Sequence, residues 1–274
     1  MSASPALAAE PHKATTASGA HRAAVSGYPA GGWLLREPDP EAELLLFCVP
    51  YLGTGASMFH GWPRRIGGTE VCPIQPPGRE NRLREDSHAT YEDFASSLID
   101  SLLPYLDRPF ALFAHCNSVY VAVEVVRQLH RRNLPQAERL IASSMVPPDL
   151  MPFGSILDVP EDDLGAVVAD LMRGRGFEPD PELVELALDS MVADVRAYCR
   201  YRPDDSRLPC PVTVLGWTQD HEVPPALLDG WNGYADTDIC LLPGSHWSFL
   251  AFPDELREAL TTSDPNERSA CTSD

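Results

Sequence analysis

Short unbroken apolar runs alternate along this chain with segments whose apolar residues recur every three to four positions. Leu44 to Val49 is a continuous apolar run, the pattern of a strand covered on both faces. Glu70 to Gln75, Phe110 to Ala114, Arg139 to Ser143, Pro211 to Gly216 and Thr237 to Leu242 read as further strands. Between them, Phe94, Leu98, Leu102 and Leu106 fall at helical spacing within Tyr91 to Leu106, with Pro104 marking an early end. Val119 to Arg132 and Pro253 to Thr261 read as helices too. This alternation predicts an α/β fold, a mostly parallel sheet with helices on both faces. It breaks at about 147–202, where two helical stretches, Pro160 to Arg173 and Pro181 to Tyr201, occur without a strand. Pro160 and Pro181 sit where a first helical turn tolerates proline. An all-helical insertion between strands of a parallel sheet reads as a lid, the plainer alternative being a decoration with no gating role.

The ends differ from the middle. Residues 1–32 are rich in Ala, Ser, Gly and Pro, without the basic start and apolar centre of a secretory signal, and are expected to be a disordered leader. Residues 263–274 read as a disordered tail. One domain is expected over 33–262, long enough for a sizeable core. No apolar run approaches the roughly 18 residues of a membrane span. A net charge of −19 argues against nucleic acid or an anionic membrane as partner. The seven cysteines include no CxxC, so neither a zinc site nor a disulfide framework is expected, and no metal. Cys48, Cys72, Cys210 and Cys240 lie in or beside strands and read as small core residues, which fits a reducing cytoplasm.

The chemistry concentrates just past three strands. Ala114-His115-Cys116-Asn117-Ser118 joins an apolar strand to a helix through a turn with small residues at its flanks. That is the strand–nucleophile–helix arrangement of the α/β-hydrolase fold, with cysteine where serine is usual. Asp220 follows the strand ending at Gly216, and His246 follows the strand ending at Leu242. Carboxyl ends of parallel strands share one edge, so Cys116, Asp220 and His246 should converge there, in the order nucleophile, acid, histidine. An imidazole and a helix N-terminus both favour the thiolate, and Asp220 would hold the imidazole in its productive tautomer. The plainer readings are a buried small cysteine, an aspartate capping the helix near Val223, and a structural histidine. An oxyanion hole would need two backbone N–H groups, those of Asn117 and, from the glycine-rich turn Tyr51-Leu52-Gly53-Thr54-Gly55, of Leu52. That turn lacks the lysine of a phosphate-binding loop.

Further motifs carry a family resemblance. Leu46-Phe47-Cys48-Val49-Pro50-Tyr51-Leu52-Gly53 resembles the Phe-Pro-Tyr-Ala-Gly-Gly turn of type II thioesterases, stand-alone proteins of polyketide and non-ribosomal peptide pathways. Gln75-Pro76-Pro77-Gly78-Arg79-Glu80 is similar to their Gln-Leu-Pro-Gly-Arg-Glu, and Pro243-Gly244-Ser245-His246 also matches. The resemblance spans roughly Trp33 to Leu260. It implies an acyl group carried as a thioester on the phosphopantetheine of an acyl or peptidyl carrier protein. It further implies a monomer with no bound cofactor, since phosphopantetheine arrives with the substrate. By likeness, Cys116 would be nucleophile, His246 base and Asp220 orienting acid, beneath a lid over an acyl channel. Met151, Phe153, Met172, Phe177 and Met191, with Leu171, are candidates to line that channel or else to pack the lid. Arg79 and Arg82, or Arg127 and Arg131, are candidates to face the carrier; ordinary solvated charge is the competing reading. The departure lies at the elbow, where the family's Gly-His-Ser-Met-Gly has become Ala-His-Cys-Asn-Ser. Cysteine-bearing relatives are similar to aminoacyl or acyl shuttles between carriers, and others release product by cyclisation.

Sulfur changes the expectation. Attack by Cys116 on a carrier thioester yields another thioester, a nearly isoenergetic exchange that preserves transfer potential. Transfer to a second carrier thiol is the first expectation and editing hydrolysis the second. A cysteine-triad lactone hydrolase and a non-catalytic binding protein on a hydrolase fold are the remaining alternatives.

Overall fold

The computed structural model describes residues 32–174 and 178–261. The segments expected to be a leader and a tail lie, but for Gly32, outside them, as does Phe177. Seven strands form one sheet in the order β2-β3-β1-β4-β5-β6-β7. They are β1 (Leu44–Val49), β2 (Arg65–Ile66), β3 (Thr69–Pro73), β4 (Phe110–His115), β5 (Arg139–Ser143), β6 (Val212–Trp217) and β7 (Thr237–Leu242). All neighbours pair in parallel except β2 with β3. That short edge hairpin, which the hydrophobic pattern missed, turns on Gly67-Gly68, with Gly67 at φ 61°. β4 and β6 are buried at every position, as strands covered on both faces must be.

The helices are α1 (Tyr91–Leu102), α2 (Val119–Arg131), α3 (Leu164–Gly174), α4 (Pro181–Arg200) and α5 (Asp254–Thr261). The Thr90 hydroxyl accepts the Asp93 N–H and so caps α1, an interaction worth about 1 kcal/mol. Asp180 caps α4, with Pro181 at its first position. α1 ends at Leu102, short of Leu106, and Leu103–Tyr105 tightens into a 3-10 turn around Pro104. α3 starts four residues later than the pattern suggests, because Glu161–Asp163 form a separate 3-10 turn. Among the described residues, the stretch from β5 to β6 contains helices and no strand. The core holds Phe47, Phe113, Trp217, Trp231 and Phe249, each burial of a large apolar side chain contributing roughly 1.5–3 kcal/mol. Cys48, Cys72, Cys210 and Cys240 are buried. No helix among the described residues is long and apolar enough to cross a membrane.

Candidate active site

Cys116 stands at the sharp bend between β4 and α2. Its φ of 54° is left-handed, a costly conformation for a residue with a Cβ and the one a nucleophile elbow demands. Ser118 stitches the bend: its hydroxyl donates to the His115 carbonyl at 2.9 Å and accepts the His115 N–H at 3.3 Å. Ser118 thus packs the turn.

The other two residues meet because β6 and β7 stay zipped beyond the sheet. Thr218 N–H donates to the Leu242 carbonyl at 2.9 Å and Gln219 N–H to that of Gly244 at 2.8 Å. Gly244 has φ 130°, and a Cβ there would come within 2.4 Å of Ser248 Oγ, so glycine is required. The loops thereby lay Asp220 against His246, with Oδ2 2.9 Å from Nδ1. The other oxygen, Oδ1, accepts the N–H groups of Glu222 and Val223, each at 2.9 Å. Asp220 thus bonds His246 with one oxygen and its own loop with the other; the helical segment beyond, Pro225–Gly233, starts at Pro224 without a side-chain cap, so the helix-capping reading does not hold. Burial opposes ionisation of Asp220, but the His246 contact, the Val223 N–H and the Ser144 hydroxyl hold its carboxyl below the usual range. A carboxylate on Nδ1 fixes the tautomer that leaves Nε2 as the basic nitrogen.

Cys116 and His246 open into one cavity of about 200 Å³. Tyr51, Asn117 and Trp247 wall one side; Ser155, Ile156, Val159, Val167 and Leu171 come from the insertion, and Glu222 joins them. A larger cleft of about 580 Å³ lies at the opposite, amino-terminal edge of the sheet and holds none of these groups. The Cys116 thiol donates to Asn117 Oδ1 at 3.1 Å. Burial pushes this thiol well above its ordinary range. The Asn117 backbone N–H works in the other direction, while the negative charges of Glu222 and Asp220 add to the rise. This corrects the expectation of a thiolate favoured at rest: an anion in an apolar pocket near two carboxylates is disfavoured. His115 points into the fold, stacked on Phe249 at 4.0 Å with Nδ1 3.0 Å from Ser143 Oγ, and burial keeps it neutral.

In the glycine-rich turn, the N–H of Tyr51 donates to Met58 Sδ, that of Gly53 to Asp194 and that of Thr54 to the Tyr51 carbonyl. The Leu52 N–H has no such partner among the described residues, which suits an oxyanion donor. Gly53 has φ 66°, and a Cβ on it would lie 2.9 Å from Met191 Cε.

Three of the four expected docking arginines are buried. Arg79 is buried against Asp194, and Arg82 is buried while donating to the Gln75 carbonyl and to Glu85. Arg127 is buried and donates to the Asp204 and Ser206 carbonyls. Arg131 is half exposed but paired with buried Glu124. A guanidinium without a partner is costly to bury, so Arg79, Arg82 and Arg127 complete internal contacts rather than present charge to a partner. The lid expectation also needs correcting. Met191 packs over Gly53, and Met172 lines a separate cleft of about 410 Å³ beside Arg79. Met151 and Phe153 pack against the core, the Phe153 backbone being held by the Tyr198 hydroxyl, and neither lines the Cys116 cavity. Of the named lid residues, Leu171 does. Sequence reasoning missed Glu222 and Asp194. Their only signals were a carboxylate two residues past Asp220 and an acid at a core-facing position of a helix.

The strand order, the elbow and the acid–histidine pair past β6 and β7 define an α/β-hydrolase fold. A thioesterase domain model matches residues 45–262, and the chain belongs to that family. It is similar to RedJ, a thioesterase from the prodiginine pathway of Streptomyces coelicolor, at 30% identity over 83% of this chain and 91% of that one, with a TM-score of 0.69. It is similar to BorB, a type II thioesterase from the borrelidin biosynthetic cluster, at 26% identity over 83% and 94%, also at 0.69. LgrE of Brevibacillus parabrevis, called linear gramicidin dehydrogenase, is 29% identical over 82% of this chain and 89% of its own length.

Proposed function

We propose that this thioesterase takes an acyl or aminoacyl group from the phosphopantetheine thioester of a carrier protein onto Cys116. It then passes the group to the thiol of a second carrier in natural-product biosynthesis. The observation that supports this is a cysteine at the elbow, opening into the same cavity as a histidine whose other nitrogen is held by Asp220. His246 Nε2 takes the thiol proton as Cys116 Sγ bonds to the thioester carbonyl carbon. The backbone N–H groups of Leu52 and Asn117 receive the oxyanion. The bond from that carbon to pantetheine sulfur breaks, and the leaving thiolate takes the proton back from His246. The acyl-enzyme is again a thioester, so a second pantetheine thiol reverses the sequence with little change in free energy. Hydrolysis is the second reading, favoured by the family's name and by relatives described as thioesterases. In it, water replaces the second thiol.

The test loads one carrier protein with a radiolabelled acyl group and adds the enzyme with a second, unloaded carrier. Label on the second carrier supports transfer, and label recovered only as free acid supports hydrolysis. No movement of label, with none retained on the protein, contradicts both.

A further inference from the structure

Among the residues lining the Cys116 cavity, Glu222 is the carboxylate that the triad does not use. It is held at both ends. Its backbone N–H donates to Asp220 Oδ1 at 2.9 Å, and its Oε1 accepts the Ser155 N–H at 2.6 Å. Gly154, at φ 116°, lets the lid chain come this close, since a Cβ there would sit 3.3 Å from Oε1. The half-buried head group is thus held at the cavity wall by a backbone N–H. Three buried acids have an arginine: Glu70 has Arg64, Glu124 has Arg131, and Asp194 has Arg79. Glu222 has no cationic partner among the described residues. Its charge reaches the Cys116 sulfur more strongly than that of Asp220 does.

A half-buried anion on the wall of this cavity, without a cationic partner among the described residues, favours a ligand that supplies a cation. A protonated α-amine is such a cation, one carbon away from the thioester carbonyl that Cys116 attacks. The volume, about 200 Å³, falls below the roughly 300–1,000 Å³ of pockets for drug-sized ligands and suits one small group. We propose that Glu222 is the specificity-determining residue of the site, pairing with the free α-ammonium of an aminoacyl thioester and so selecting aminoacyl over simple acyl cargo. This rests on the reading of Cys116 as the acyl acceptor.

The test offers carriers loaded with L-alanyl, L-valyl, L-leucyl or L-threonyl groups, each beside its des-amino counterpart of the same carbon skeleton. Uptake onto Cys116 is timed by intact-protein mass spectrometry for the wild type and for Glu222→Gln, which can still accept the Ser155 N–H but carries no charge. The wild type should favour at least one aminoacyl group over its counterpart. Glu222→Gln should reduce that preference by about 10- to 100-fold, in the range of a charged hydrogen bond, while leaving des-amino uptake within a few-fold. Equal uptake of both members of every pair, or an equal effect of Glu222→Gln on both, overturns the assignment and leaves Cys116 as acceptor. Uptake of none of the eight groups overturns the assignment together with the reading beneath it.

Discussion

The Asp194 carboxylate, on helix α4 of the insertion, accepts the backbone N–H of Gly53 at 2.7 Å. The same oxygen pairs with buried Arg79, from the Gln-Pro-Pro-Gly-Arg-Glu segment. One buried carboxylate therefore ties the helical insertion, the glycine-rich turn and the Gln-Pro-Pro-Gly-Arg-Glu segment together. It also occupies the Gly53 N–H, while that of Leu52 has no partner among the described residues. Removing it strands a guanidinium with no anion. Asp194→Ala should lower stability by about 3–5 kcal/mol, read as a lower urea midpoint. An unchanged midpoint would show that the pair is incidental.

Asp220→Asn keeps the shape but loses the charge that fixes the His246 tautomer. Acyl-enzyme formation should fall by about 10²- to 10⁴-fold, with little change in the half-saturating carrier concentration. Its stability should also respond to acid. The Asp220 carboxyl is held down in the folded state, so its contribution is present above the unfolded value, near 3.9, and is lost as pH falls through the folded one. The wild type should lose more stability than Asp220→Asn between pH 5 and the acid limit of folding, as followed by chemical denaturation.

Buried thiols predict lability in alkali. Burial pushes Cys72 and Cys210 up to about 12, and Cys48 and Cys116 rise for the same reason. These groups stay protonated in the folded state while the unfolded chain ionises above roughly 8.5. Stability is then fully present below that value and is lost as pH rises towards 12. The urea midpoint should fall between pH 8 and pH 10.5, and Cys210→Ala should flatten that fall. A wild-type midpoint constant over this span would contradict the burial of the thiols.

Charge reversal separates buried from presented arginines. Arg127→Glu places an anion in a buried site lined by the Asp204 and Ser206 carbonyls and should markedly lower the thermal midpoint. Arg84→Glu, at an exposed position, should leave it within a degree or two. Equal midpoints for the two variants would return Arg127 to the list of surface charges.

The central parallel strands were legible because burial on both faces leaves an unbroken apolar run, as in Leu44–Val49 and Phe110–Ala114. Arg65–Ile66 was not, since two residues at a sheet edge carry no periodicity and only Gly67-Gly68 marked the turn. Cys116, Asp220 and His246 were legible because each follows a strand, and strand ends fix position. What lies between distant segments was hidden. The partners of Arg79 and Arg127 sit 115 and 77 residues away in sequence, so exposure and burial of these charges had no local signature. The cavity walls were hidden for the same reason: Met172 and Leu171 are neighbours in α3 yet line different cavities.

Intact-protein and peptide mass spectrometry after brief mixing with an acyl-loaded carrier protein tests the central claim most directly. Cys116 should gain the mass of the acyl group, on the peptide that carries it, with a bond that hydroxylamine cleaves, and Cys116→Ala should gain nothing. An acyl adduct of the same yield on Cys116→Ala, or turnover of the carrier thioester by that variant at the wild-type rate, would contradict it.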